Sequence, residues 1–197
     1  PDGDPSGVGP IVFLDMRYLN LNRIASRSVD VSLEQQLHDI GSGRLMLTLA
    51  ATRNLSFKVQ TTPGAPGVEQ VRNVSSALSQ QMKWNANGQL RWEGRHWGFG
   101  WSARYFDYLL VATSIIPLQG SDRAPRKLTH DLSINYRASS QSAAGLYGAL
   151  AKSSIKLTVQ NLFNRPPRFW YPSSDYGVAP GDSIAGRVVT LGIRKDL

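Results

Sequence analysis

Apolar and polar residues alternate along most of this chain with a period of two. At 28–37 the odd positions are Val29, Val31, Leu33, Gln35 and Leu37, and the even ones are Ser28, Asp30, Ser32, Glu34 and Gln36. One apolar and one polar side is the pattern of a strand with one face hidden from water. At 44–60 the apolar side carries Leu45, Leu47, Leu49, Ala51, Leu55, Phe57 and Val59, interrupted by Arg53. The other carries Arg44, Thr48, Thr52, Asn54, Ser56, Lys58 and Gln60. The alternation returns at 84–93, 97–105, 128–137, 155–160 and 189–193. An earlier strand shows Val12, Leu14, Met16 and Tyr18 opposite Asp15 and Arg17, and its phase shift near Leu19 predicts a bulge or a turn. Helical periodicity is nearly absent. The pattern predicts an all-β antiparallel meander of about eight strands.

The expected connectors differ in length. Those at 20–25, 38–43 and 94–96 are short, those at 61–82, 109–126 and 164–185 are long, and 138–153 is intermediate. If successive strands are antiparallel, all three long loops leave the sheet at one end. Long loops without structure are uncommon in compact water-soluble domains.

What hides the apolar stripe follows from length and aromatic placement. The seventeen residues of 44–60 extend over roughly 55 Å, whereas a soluble strand has about five or six residues. A tilted membrane strand needs about 9–11 residues and can continue beyond the bilayer. Trp92 and Trp97 flank the shortest turn on the apolar side, Tyr136 falls at the same level, and Tyr105 and Phe57 fall at the opposite ends of their strands. Tyr and Trp combine an apolar body with a polar tip, which suits a membrane–water boundary. The stripe is expected to face lipid.

Composition narrows the functional classes. The net charge is +8, but the basic residues are scattered, and the densest groups, "RAPRK" and "RPPR", lie among prolines. Scattered charge does not make the basic face that nucleic-acid binding requires, and none is expected. There is no Cys, so neither a disulfide framework nor a thiolate metal site is drawn. No run approaches the roughly 20 apolar residues of a membrane helix. The chain opens on Pro1 without a signal-peptide pattern, which suggests a cut piece of a longer protein.

Four stretches carry a family likeness: "VQNLFNRPP", "AGRVVTLGIRKDL", "DMRYLNLNRIASRSVDVSLEQQL" and "MKWNANGQLRWEGRHWGFGWSARYFDYL". In this order they resemble the C-terminal part of the β-barrel of TonB-dependent outer-membrane receptors: a penultimate strand ending in Asn-Leu-Phe, a closing strand, a strand pair around Asn-Leu, and a Trp-bearing hairpin. The resemblance implies that 1–197 is the C-terminal portion of a transmembrane barrel, the last eight of 22 strands. It places the chain in the outer membrane of a Gram-negative bacterium. It further implies an N-terminal plug domain absent from this chain, contact with TonB through that missing region, and import of a scarce extracellular small molecule of the siderophore, cobalamin or carbohydrate class. Thr190, Gly192 and Leu197 fall at polar, Gly and terminal positions of the signal by which such barrels are assembled. Lys195 stands where an apolar residue is usual, and Leu197 replaces the usual Phe.

Two sets of residues are candidates for function. Arg17, Asp30, Glu34, Arg44, Arg91, Arg104, Asp131 and Arg137 lie on the polar side of their strands. The resemblance turns that side toward the lumen or the plug, though a solvated polar wall accounts for the same pattern. Arg165, Arg168, Phe169, Trp170, Tyr171 and Tyr176 lie in the last long loop, where aromatic area and guanidinium groups suit ligand contact. The three histidines have no zinc-motif spacing, and no nucleophile elbow occurs, so no enzyme activity, metal or cofactor is expected. Two other readings remain open: a self-contained eight-stranded outer-membrane barrel with a structural or adhesin role, and a soluble β-protein that binds acidic partners.

Overall fold

The structure is a computed structural model and describes residues 23–60, 62, 64–72, 81–138, 152–169, 177–179 and 181–195. Seven long strands form one antiparallel sheet: β1 (Arg23–Ile40), β2 (Gly43–Gln60), β4 (Trp84–Glu93), β5 (Trp97–Phe106), β8 (Lys127–Arg137), β9 (Ser153–Gln160) and β10 (Val188–Lys195). Each pairs with the next in chain order, and the two-residue β3 (Val68–Glu69) is added to the end of β2. A two-stranded ribbon, β6 (Leu109–Leu110) with β7 (Arg123–Ala124), and the short helix α1 (Ile116–Gln119) lie between β5 and β8. The protein is all-β, and the described sheet is open, with β1 and β10 at its two edges. The strand expected at 12–18 lies outside the described residues.

Strand boundaries correct two expected connectors. β1 starts at Arg23 rather than after 25, and β1 and β2 run on to a turn of only Gly41 and Ser42. Gly41 has φ +62°, a conformation without steric penalty only for glycine, and it stands where a tight hairpin turn requires it. The turn at 94–96 is as short as expected. Antiparallel pairing puts the strand ends joined through 41–42, 94–96 and 138–152 at one end of the sheet. The strand ends joined through 61–83, 107–126 and 161–187 are at the other.

The cross-strand register gathers the apolar residues into rows on one face. One row runs Leu45, Trp92, Phe99, Ile134, Leu157, Leu191, and the next runs Leu47, Leu90, Trp101, Leu132, Val159, Val189. The long apolar face of β2 breaks at a bulge. Leu55 has no partner, so Phe57 and Val59 pair with Ser26 and Ile24, in phase with Asp30 rather than with Val31. One extra residue reverses the alternation beyond it. Phe57 therefore does not continue the apolar face, contrary to the sequence pattern.

That face is bare. Val31 is 62% exposed, Leu191 64% and Ile193 67%, and Trp97, Phe99 and Trp101 are all exposed. The buried apolar residues are elsewhere: Val59 lies in β2 beyond the bulge, paired with Val68 of β3, and a cluster of five is formed by Met82, Leu109, Val111, Ala124 and Ala179, with Phe106 and Ile115 packed against it. Of these five, Met82 comes from the first long loop, Leu109, Val111 and Ala124 from the second, and Ala179 from the third. The hydrophobic core thus joins the loops and does not underlie the sheet.

Candidate functional site

At the short-turn end the aromatic rings of the apolar face meet. Trp97 lies 4.8 Å from Tyr136 and 6.1 Å from Phe99, and Trp92 lies 5.7 Å from Phe99. Trp92 rests on two glycines: a Cβ on Gly43 or Gly94 would come 2.5 Å from its ring. Its Nε1 donates to the carbonyl of Ile40 at 3.0 Å, so the ring lies over the hairpin end with its polar edge satisfied.

On the opposite face the expected polar residues fall together. Arg104 pairs with Asp131 at 3.1 Å, and Thr52 Oγ1 donates to Asp30 at 2.5 Å. Arg91 and Arg137 converge on Glu93 at 3.4 and 3.8 Å, a carboxylate that the polar candidates of the sequence left out. Arg44 is opposite Glu93 in the register and Glu34 is opposite Thr48. Arg17 lies outside the described residues. Thr190 and Gly192 pair with Thr158 and Lys156 in the last ladder, and Leu197 lies outside the described residues.

The loop end is built around buried charge. Arg168, 5% exposed, was expected at a ligand-contact surface, but it lies inside the loop bundle. Its backbone N–H donates to Asp182 Oδ2 at 2.7 Å, and its guanidinium donates to Asp182 Oδ1 at 3.1 Å and to the carbonyls of Asp107 and Pro125. Lys127 Nζ adds a 3.0 Å ion pair to the fully buried Asp182. Burial of ions is unfavourable unless such partners are in place, which makes this group a brace and corrects the ligand-contact assignment of Arg168.

A second carboxylate, Asp107, is 1% exposed. It accepts from Arg72 at 2.6 Å and from the backbone N–H of Tyr108 at 3.0 Å, and Arg126 approaches to 3.5 Å. The Tyr108 ring has the guanidinium of Arg72 at 4.0 Å, of Arg123 at 5.2 Å and of Arg126 at 5.6 Å. Arg72 adopts φ +66°, unfavourable for a residue with a side chain. Its N–H donates to the carbonyl of Gln81, and its own carbonyl accepts from Leu110 N–H, both at 2.8 Å. These bonds and the carboxylate hold the strained residue at the junction of two loops.

Glu69 fixes the first loop to β2. Its carboxylate accepts from Ser56 Oγ and from the backbone N–H groups of Phe57, Gln70 and Val71. Desolvation alone would raise its pKa, but these donors together lower it to about 2. On the second loop the Arg123 hydrogen bonds hold the Asp122 carboxyl below the usual range.

The "NLFN" of the sequence is a turn rather than strand. Asn161 and Asn164 both have φ +51°. Asn161 Oδ1 accepts from Arg165 N–H at 2.8 Å, and Asn164 Oδ1 accepts from Arg187 N–H at 2.8 Å. The first bond closes the turn, and the second ties it to the segment entering β10. Phe163 is exposed and meets His130 edge-on at 5.1 Å, while His130 stacks on Trp101 at 5.5 Å.

Arg165 and Phe169 remain at the surface, where Phe169 bridges to Val178 and its carbonyl accepts from Gln119. Trp170, Tyr171 and Tyr176 lie outside the described residues. Arg165 and Phe169 line a cavity of about 730 Å³ beneath the loops, together with Arg123, Arg126, Leu128 and Phe163. Asp182, Asp107, Lys127 and Arg72 carry no sequence signal for their roles, since each finds its partner through loop folding. Among the described residues no group of His, Cys, Asp and Glu could hold a metal ion, and no helix is long and apolar enough to cross a membrane, which says nothing about strands. No family model, curated protein or solved structure matches the chain.

Proposed function

We propose that this chain is part of the wall of an outer-membrane receptor, the C-terminal section of a TonB-dependent β-barrel that imports a scarce extracellular solute. The observation that carries the reading is the bare apolar face. Rows of Leu, Val, Ile, Phe and Trp across seven strands lie exposed or half-buried with no second layer over them among the described residues, far beyond the scattered exposed apolar residues of a soluble protein. Lipid satisfies such a face, and the opposite face, with Arg104–Asp131 and the Glu93 group, suits a watery lumen or a plug domain.

The open edges supply the second support. Backbone groups at an edge in lipid must be paired, and β1 and β10 share no ladder among the described residues. In the receptor reading further strands of a larger barrel pair these edges; the alternative is a self-contained eight-stranded barrel with a structural or adhesin role. In this reading the partners are lipid, the plug, TonB and a siderophore, cobalamin or carbohydrate, and the chain itself performs no covalent chemistry. The three-loop platform at the end away from the short turns is the part that meets the external ligand.

The test begins with fractionation of the producing bacterium, in which the gene product carrying this chain should sediment with the outer membrane. Its deletion should abolish uptake of one solute of these classes, and loss of TonB should reproduce the defect. Recovery in the aqueous fraction would sink the membrane reading. Outer-membrane recovery with uptake independent of both deletions would sink the transport reading.

A further inference from the structure

The cavity beneath the loops has a charge and a position that the transport reading does not use. Among the described residues five cationic side chains line it, Arg123, Arg126, Lys127, Arg165 and Arg168, and no carboxylate does. Lys127 and Arg168 are engaged by Asp182 from behind, Asp107 reaches Arg126, and Asp122 binds Arg123. Arg165 makes no ion pair among the described residues. Among the described residues three carboxylates thus meet five cations, and the lining carries a positive surplus.

The other half of the lining is apolar. Leu128 and His130 belong to the bare face, since the register pairs them with Tyr105 and Ala103, in line with Leu132 opposite Trp101. Phe163 covers His130, and Leu128, Phe163 and Phe169 are 47%, 61% and 52% exposed. The cavity therefore sits where the apolar rows end and the loops begin. A cationic pocket directly above an apolar strip matches a molecule with an anionic head and a hydrocarbon tail.

We infer that this cavity binds the phosphate group of a membrane lipid, with its acyl chain lying down the apolar face past His130 and Trp101. Guanidinium groups give phosphate paired, charge-assisted hydrogen bonds. A free phosphate ion shares that chemistry but leaves Leu128, Phe163 and Phe169 without a role. The inference rests on the membrane placement proposed above and adds a specific lipid contact to it.

The test uses the complete gene product, purified in dodecyl maltoside and stripped of lipid, with Trp101 as an internal reporter. Brominated phosphatidic acid should quench tryptophan emission at a concentration roughly tenfold or more below that of brominated phosphatidylcholine, the factor expected from one charge-assisted hydrogen bond. The double variant Arg123→Gln/Arg165→Gln leaves the Asp182 and Asp107 braces intact and should abolish the difference, while Arg123→Lys/Arg165→Lys should retain part of it. Inorganic phosphate should not displace the lipid.

Equal quenching by the two lipids in the unaltered protein, which needs no variant to fold, would overturn the inference and leave the membrane reading standing. Displacement by inorganic phosphate at matched concentration would show a small-anion site instead. A gene product that stays in solution without detergent would overturn both readings together.

Discussion

Arg168 and Asp182 meet through both backbone and side chain: the Arg168 N–H lies 2.7 Å from Oδ2, and its guanidinium lies 3.1 Å from Oδ1. Both side chains are buried, at 3% and 0% exposure. Removing one member of such a pair leaves an uncompensated charge, at a cost of about 3–5 kcal/mol. Arg168→Met is therefore expected to loosen all three long loops, seen as much faster proteolysis there with the strands still protected. Arg168→Lys should recover little, since a lone ammonium cannot also reach the Asp107 and Pro125 carbonyls. Unchanged cleavage in Arg168→Met would refute the brace.

Glu69 makes the attachment of the first loop dependent on pH. Its pKa in the folded chain is lowered to about 2, so its contribution is complete above the ordinary carboxylate range and is lost as pH falls from that range through about 2. Hydrogen exchange at Phe57, Gln70 and Val71 should accelerate relative to strand amides over that interval. Glu69→Gln should show the faster exchange already at neutral pH. An unaltered profile in the variant would exclude this anchor.

Leu49 tests what covers the apolar face. It is exposed and opposite Leu33 across one ladder. If lipid covers it, Leu49→Arg destabilises the folded protein by about 2–4 kcal/mol; on a water-facing surface the change stays within about 0.5 kcal/mol. Urea titration in detergent micelles or bilayers distinguishes the two. Gln89→Arg, on the polar face, is expected to be tolerated.

Gly43 and Gly94 admit Trp92 because neither has a Cβ. Gly43→Ala would bring that atom to 2.5 Å from the Trp92 ring and 2.7 Å from the Glu93 carbonyl. Overpacking of this kind destabilises by roughly 1–3 kcal/mol. The Trp92 Nε1 bond to Ile40 should break, with a shift in the Trp92 indole NMR signal. Restoring space with Trp92→Leu in the same chain should recover part of the stability.

Asn164 combines a left-handed backbone with a hydrogen bond to Arg187 N–H. Asn164→Gly keeps the conformation and loses the bond, whereas Asn164→Ala loses both, so Ala should be the more destabilising. Exchange of the Arg187 amide should rise in each. Equal stability of the two variants would mean that backbone strain is not a factor at this turn.

The strands were legible because period-two alternation depends on neighbours along the chain. Seven of the expected strands are found, including the Trp97–Tyr136 level predicted from the aromatic positions. The bulge at Leu55 was hidden, since the sequence continues to alternate after the register has slipped by one residue. The pairing of Arg104 with Asp131 follows from both lying on the polar face of adjacent strands. Arg168 was misplaced for a different reason: an Arg among prolines reads as an exposed loop residue, and its partner is fourteen positions away in a segment with no periodicity. The same holds for Arg72 and Asp107, which are brought together only when two loops pack.

Met82, Leu109 and Ala179 come from three different loops and share one core. Surface loops ordinarily diversify independently, each tolerating substitutions and insertions without regard to the others. Here a change of volume in any one of them is felt by the other two. Variation at the loop end of the sheet should therefore arise as correlated sets of substitutions, and grafting a single loop from a related chain should fail where exchange of all three succeeds.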